Sequence, residues 1–160
     1  MNVYDSDWDV ERSIGAPMRM LHLGRRIGGE LIGATIFELE PGVLPITHFH
    51  YGNEEWVLVL EGTPTLRTPA GERSLERGDV VAFRRGPEGT HALSNDSGSA
   101  CRFVIFSSMR HPDVVEYPDA GVIGAIAGDA PTAGRDAPFE AFFPAHAQIE
   151  YGKIPRDPRR

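Results

Sequence analysis

Short β-type runs separated by turn residues dominate the middle of this chain. LIGATIFEL is followed by the turn EPG, WVLVLE by GTP, TLRTP by AGER and DVVAF by RRGPEGT, and HALSN and CRFVIFSS complete the series. The runs are rich in β-branched, aromatic and other apolar residues, and the turns carry Gly or Pro. No stretch between residues 30 and 108 sustains a helical period. Many strands of this length at close spacing predict an all-β sandwich or barrel, with Gly62, Gly71 and Gly78 where hairpins need positive φ. Within 55–60, alternation sends Glu55, Val57 and Val59 inward and Trp56, Leu58 and Leu60 to the opposite face. Both faces are apolar, so the outer one needs cover from the N-terminal segment, the C-terminal tail or a second subunit.

Beyond residue 110 the pattern weakens. VVEYP reads as one more strand, whereas PDAGVIGAIAGDAPTAGRDAP is loaded with Ala, Gly and Pro and reads as a loop or embracing arm. The final stretch brings Phe139, Phe142 and Phe143 close together, as in a small docked hydrophobic cluster. The expected organisation is an N-terminal segment, 1–29, packing on a barrel, 30–117, with an irregular, loop-rich C-terminal arm, 118–160.

With 160 residues, the chain is one ordinary domain, large enough to remove about 70% of its unfolded surface from water. Its net charge is −7, and the basic runs Arg25-Arg26, Arg84-Arg85 and RDPRR are too short for a nucleic-acid track. The first residues are acidic and lack a signal-peptide core, and no apolar stretch approaches membrane-helix length, so a cytoplasmic protein with no membrane or nucleic-acid partner is expected. The single cysteine, Cys101, lies in the apolar run ACRFVIF and reads as a small buried hydrophobe.

Candidate chemistry is concentrated in GVLPITHFHYGNEEWVLVLEG. His48 and His50 are two apart, so on a strand both imidazoles project to one face as a chelating pair. A carboxylate a few residues on can return to that face after the chain turns through Tyr51, Gly52 and Asn53. His91, in GDVVAFRRGPEGTHALSN, offers a fourth ligand. His22, His111 and His146 are isolated and read as surface or capping residues, and Asn95 and Asp79 as turn formers. Arg67 and Arg102 point either inward, to fork a carboxylate, or outward into water, which is the expected direction.

These residues resemble the two motifs of the cupins. Gly42, His48, His50, Glu55 and Gly62 match the first motif at every position, and the spacing to Gly62 selects Glu55 over Glu54 as the ligand. Gly78, Gly86, His91 and Asn95 match the second, but Arg84 stands where Pro is usual and two extra residues separate Gly86 from His91. The resemblance covers roughly residues 30 to 110. It implies a double-stranded β-helix, or jelly-roll, barrel, a divalent metal (Fe, Mn, Zn, Ni or Co) held by His48, His50, Glu55 and His91, no organic cofactor, and a homodimer.

Three imidazoles and one carboxylate leave about two open positions on a six-coordinate ion, suited to a small polar metabolite with two adjacent oxygens. The expected function is a metal-dependent dioxygenase or isomerase, with Tyr51, Glu54 and Glu88 as the general-base candidates nearest in sequence. The alternative is a non-catalytic barrel that binds a small sugar or acid as a sensor or store. Metal-free epimerase chemistry needs a His/Asp pair as base and no Glu55, and fits the filled ligand set less well.

Overall fold

The alternating runs become strands because each can bury one face. The computed structural model of the chain describes residues 1–4, 6–12, 17–43, 46–128 and 139–154. The strands are β1 (Val10–Arg12), β2 (Met18–Leu21), β3 (Gly33–Leu39), β4 (Phe49–His50), β5 (Glu55–Glu61), β6 (Thr65–Thr68), β7 (Gly71–Ser74), β8 (Val80–Phe83), β9 (Ala92–Ser94), β10 (Cys101–Ser107), β11 (Asp113–Tyr117), β12 (Val122–Ala127) and β13 (Phe139–Pro144). A short α-helix, α1 (Leu23–Arg26), lies between β2 and β3. It is far too short to cross a membrane, and no helix among the described residues is long and apolar enough to do so.

The strands form the expected jelly-roll. One layer is a six-stranded antiparallel sheet in the order β1-β2-β3-β10-β5-β8. The facing layer has two parts, β13-β12-β11-β4 and β7-β6-β9, stitched together by an isolated antiparallel bridge between His48 and His91. Between the layers lies the main core, which includes Leu39, Val57, Val59, Leu66, Phe83, Leu93 and Phe103. Phe37 and Phe103, directly opposed in register, stack with ring centroids 5.6 Å apart. Cys101 joins this core, and burial pushes its thiol pKa up to about 11, which fits an inert hydrophobe.

The inward and outward assignment along β5 holds. Val57 and Val59 are buried in the core, and Leu58 and Leu60 pack on the outer face against Leu21, Ile36 and Val104. The cover for that face is the N-terminal segment, through Val3, Trp8 and Leu23. It stops short of Trp56, Val80 and Phe106, which stay exposed.

Arg102 departs from expectation. Instead of projecting into water it is 7% exposed, donates to Glu38 Oε2 through Nε at 3.0 Å and Nη2 at 2.5 Å, and lies under the Trp8 ring. A buried guanidinium must be paired, and here the pair clamps the N-terminal segment onto the sheet. Arg67 is half-exposed and paired with Asp119 at 2.6 Å.

The C-terminal arm, whose composition reads as loop, carries β12 and β13. VIGAIA has too many small residues to signal a strand by itself, but pairing with β11 from Val122 to Ile126 supplies the missing order. β7 was also invisible, since all four of its residues are exposed and only pairing with β6 defines it. Part of the arm and the run RDPRR lie outside the described residues.

Replacing Phe103 by Ala removes a ring from the centre of the main core. The expected loss is about 3–5 kcal/mol of unfolding free energy, read as a lower urea midpoint at unchanged slope.

Candidate metal centre

Backbone pairing brings the two halves of the site together. His48 and His91 exchange both N–H···O=C bonds, each at 3.0 Å, so residues about forty apart in sequence stand directly opposite. The segment between Phe83 and His91 reaches this point through a 3₁₀ turn at Pro87–Gly89. That turn absorbs the two residues that depart from the usual spacing. Gly89 is required there, because a Cβ would fall 1.6 Å from the Arg84 carbonyl oxygen. Glu55 comes from the other layer, at the first position of β5.

Three side chains converge, and a fourth reaches the same carboxylate. One ligand atom from each of His48, His50 and Glu55 falls in a group whose members all lie within 4.8 Å of one another. His91 joins the same carboxylate: the Nε2 atoms of His48, His50 and His91 lie 3.9, 3.6 and 3.5 Å from Glu55 Oε2. These separations are too long for hydrogen bonds. Ligands held about 2.1 Å from one ion stand ~3.0 Å apart at right angles and ~3.4 Å apart in a tetrahedron. The three separations from Glu55 Oε2 lie within about 1 Å of these values.

Each histidine is anchored through its other nitrogen. His48 Nδ1 donates to the Ile46 carbonyl at 3.1 Å and His91 Nδ1 to the Gly89 carbonyl at 2.9 Å. A carbonyl only accepts, so both Nδ1 atoms carry the proton and both Nε2 atoms present lone pairs. Burial lowers the pKa of His48 to about 4 and of His91 to about 3, with neighbouring imidazoles adding to the effect, so both rings are neutral at pH 7. His91 also stacks flat on Phe83, with centroids 3.7 Å apart and planes 4° from parallel. Burial raises the Glu55 pKa. Lone pairs gathered around a buried carboxylate, with no donor from His48 or His91 among them, form a donor set that a divalent cation can satisfy.

His50 has a different anchor. Its Nδ1 lies 2.5 Å from Asp113 Oδ2, on β11, and the Gly52 N–H donates to Asp113 Oδ1 at 2.9 Å. A Cβ at Gly52 would fall 2.7 Å from that oxygen, so the turn after His50 has no room for a larger residue. Burial acts against charge on Asp113, but bonds from His50, Asn53 and Gly52 hold its pKa below the ordinary carboxylate range. For His50, burial alone lowers the pKa; the Asp113 bond and Glu55 outweigh it and raise it.

Two families of observation now agree. The cupin domain model matches residues 35–107, the span that contains both motifs and all four convergent residues. Residues 35–107 are a cupin domain. Among solved structures, this cupin is similar to a sugar phosphate isomerase of the same superfamily from Silicibacter pomeroyi, at 26% identity over 86% of this chain and 83% of the other, with a TM-score of 0.70. It is also similar to a polyketide cyclase from Streptomyces resistomycificus, at 27% identity over 71% of this chain and 82% of the other, with a TM-score of 0.56. A cupin domain of an XRE-family transcriptional regulator from Enterobacter cloacae shares the fold, at 21% identity over 59% of this chain and 98% of the other, with a TM-score of 0.51. No curated protein sequence matches significantly.

Within the cupin barrel, the other sequence candidates lie apart from the site. Tyr51 is exposed, and its hydroxyl donates to Glu116 Oε2 at 2.9 Å on the outer face of β11. Glu54 is exposed and accepts from Trp56 Nε1 at 2.8 Å, and Glu88 is exposed beside Arg84. Neither Tyr51 nor Glu54 shares the face of its alternate neighbours His50 and Glu55. Asn95 is fully buried and bonds the Leu39 and Ser99 carbonyls, the turn-forming role expected for it. Asp113 and Tyr117 were missed. The alternation in DVVEY places both on one face, but only the pairing of Val115 with His50 shows that this face is the site's.

Replacing Asp113 by Asn in the metal-free protein removes the main upward influence on His50, so its pKa falls. An NMR titration of the imidazole checks this. The sign carries over to stability: a raised His50 pKa adds stability that is complete below about pH 6.5 and is lost as pH rises through the folded value. That dependence weakens in the Asp113→Asn protein.

Proposed function

We propose that this cupin is a metal-dependent isomerase of a small sugar phosphate, with the ion held by His48, His50, Glu55 and His91. The observation that carries the metal is the convergence of three anchored imidazoles on Glu55 Oε2 at 3.5–3.9 Å. The observation that favours isomerisation is the likeness, over most of both chains, to the sugar phosphate isomerase from Silicibacter pomeroyi. When bound, a divalent ion supplies Lewis-acid polarisation of adjacent carbonyl and hydroxyl oxygens.

The protein's own part is positional and electrostatic. His48 and His91 are held neutral by burial, so their lone pairs are available at neutral pH. Asp113 fixes the ring of His50 and strengthens it as a donor. Glu55, 12% exposed at its side chain, adds one negative charge in a low-dielectric setting. Interconversion of an aldose and a ketose only relocates protons between adjacent carbons, so it needs no oxidant or second substrate. A homodimer in which Trp56, Val80 and Phe106 meet their copies would cover the apolar area that the N-terminal segment leaves open.

Protein purified without added metal is expected to hold about one divalent ion per chain by elemental analysis. It should exchange solvent deuterium into five- and six-carbon sugar phosphates, and chelation should stop the exchange and lower the melting temperature. Retained metal with no turnover favours the binding module, and oxygen uptake on catechols or diketones favours the dioxygenase. His50→Ala is expected to lose the metal; a variant that keeps it in full overturns the ligand assignment.

A further inference from the structure

Alternation along β11 sets Asp113, Val115 and Tyr117 on the face that meets His50. Asp113 is used by His50 and Val115 is buried, which leaves Tyr117. Its ring lies 6.0 Å from the His48 ring, and of the four tyrosines it is the one with a ring contact to a site histidine. No described residue hydrogen-bonds its hydroxyl. The end of β11 is fixed in place by a latch: Asp119 accepts from Thr47 Oγ1 at 2.8 Å and from Arg67 Nη1 at 2.6 Å, and Thr47 is the residue before His48. The latch ties the turn after Tyr117 to the strand that carries the histidines.

Behind Tyr117 lies a second ring. Phe142, on β13, is 6.2 Å from Tyr117 and sits opposite Gly124 of β12. A Cβ at Gly124 would fall 2.7 Å from Phe142 Cε1 and 2.8 Å from Val115 Cγ1. The missing side chain is therefore what lets the phenyl ring lie across β12 toward Tyr117. Phe142 remains 52% exposed, so part of its surface is free for contact.

We infer that Tyr117 contacts the substrate, donating a hydrogen bond from its phenol to an oxygen of a ligand seated at the metal centre, and that Phe142 forms an apolar wall for the part of the ligand that extends beyond it. The inference rests on the metal reading above. An ordinary phenol stays protonated at neutral pH, so the donor is available without any shift in its pKa. The ligand class that this arrangement selects is a small α-oxygenated molecule, chelating at one end and tolerant of an apolar edge.

The test uses the full chain loaded with Co(II), whose visible bands report ligand binding, with glycolate and 3-phenyllactate as probes. Tyr117→Phe removes only the hydroxyl and is expected to weaken glycolate about tenfold at unchanged cobalt affinity. Phe142→Ala is expected to weaken phenyllactate about tenfold and leave glycolate within about twofold. Equal glycolate affinity in wild type and Tyr117→Phe, both holding cobalt, overturns the role of Tyr117. Cobalt uptake by wild type with no response to either probe overturns this inference alone, and failure of wild type to take up cobalt overturns the metal reading with it.

Discussion

The reciprocal backbone pair between His48 and His91 is the contact on which the centre depends. Among the described residues it is the β-bridge that joins the two parts of the second layer, and it sets two imidazoles beside each other with centroids 4.6 Å apart. Because the pair is made by main-chain groups, the side chains are left to point into the barrel. Glu55 then enters from the opposite layer, so the site spans both sheets and exists only when the barrel is closed. This couples ligand geometry to the fold itself, as in metal sites that do not preform in an unfolded chain.

Anchoring follows a simple rule with one exception. His48 and His91 are oriented by neutral carbonyls from their own loops, which leave the rings neutral. His50 is oriented by a carboxylate from a distant strand, which makes its ring more basic. Burial penalises every charge in the group, so a set of two carboxylates and three imidazoles is one that a cation can balance. The same burial holds Glu55 against a low-dielectric wall that includes Phe83, stacked on His91.

The C-terminal hairpin alters the picture of a minimal barrel. β12 and β13 extend the second layer beyond β11 and continue the face that His50 occupies. Gly124 is the small residue that makes this extension useful, since it creates the space into which Phe142 turns. A segment whose composition suggests only an arm thus supplies a wall beside the centre.

The chain's own pattern determined a great deal. Period-two runs with turns between them define most of the barrel strands, and the spacing of His48, His50 and Glu55 is a local property that any strand and turn would express. Tertiary structure decided the rest for one physical reason: pairing is not local. β7 has no apolar side chain and half of β12 is Gly or Ala, so neither carries a clear periodic signal, and each is ordered by a neighbour. Arg102 looks solvated until Trp8 and Glu38 close over it. Asp113 and Tyr117 lie sixty or more residues from His50, and only the register of Val115 against His50 turns them toward the centre.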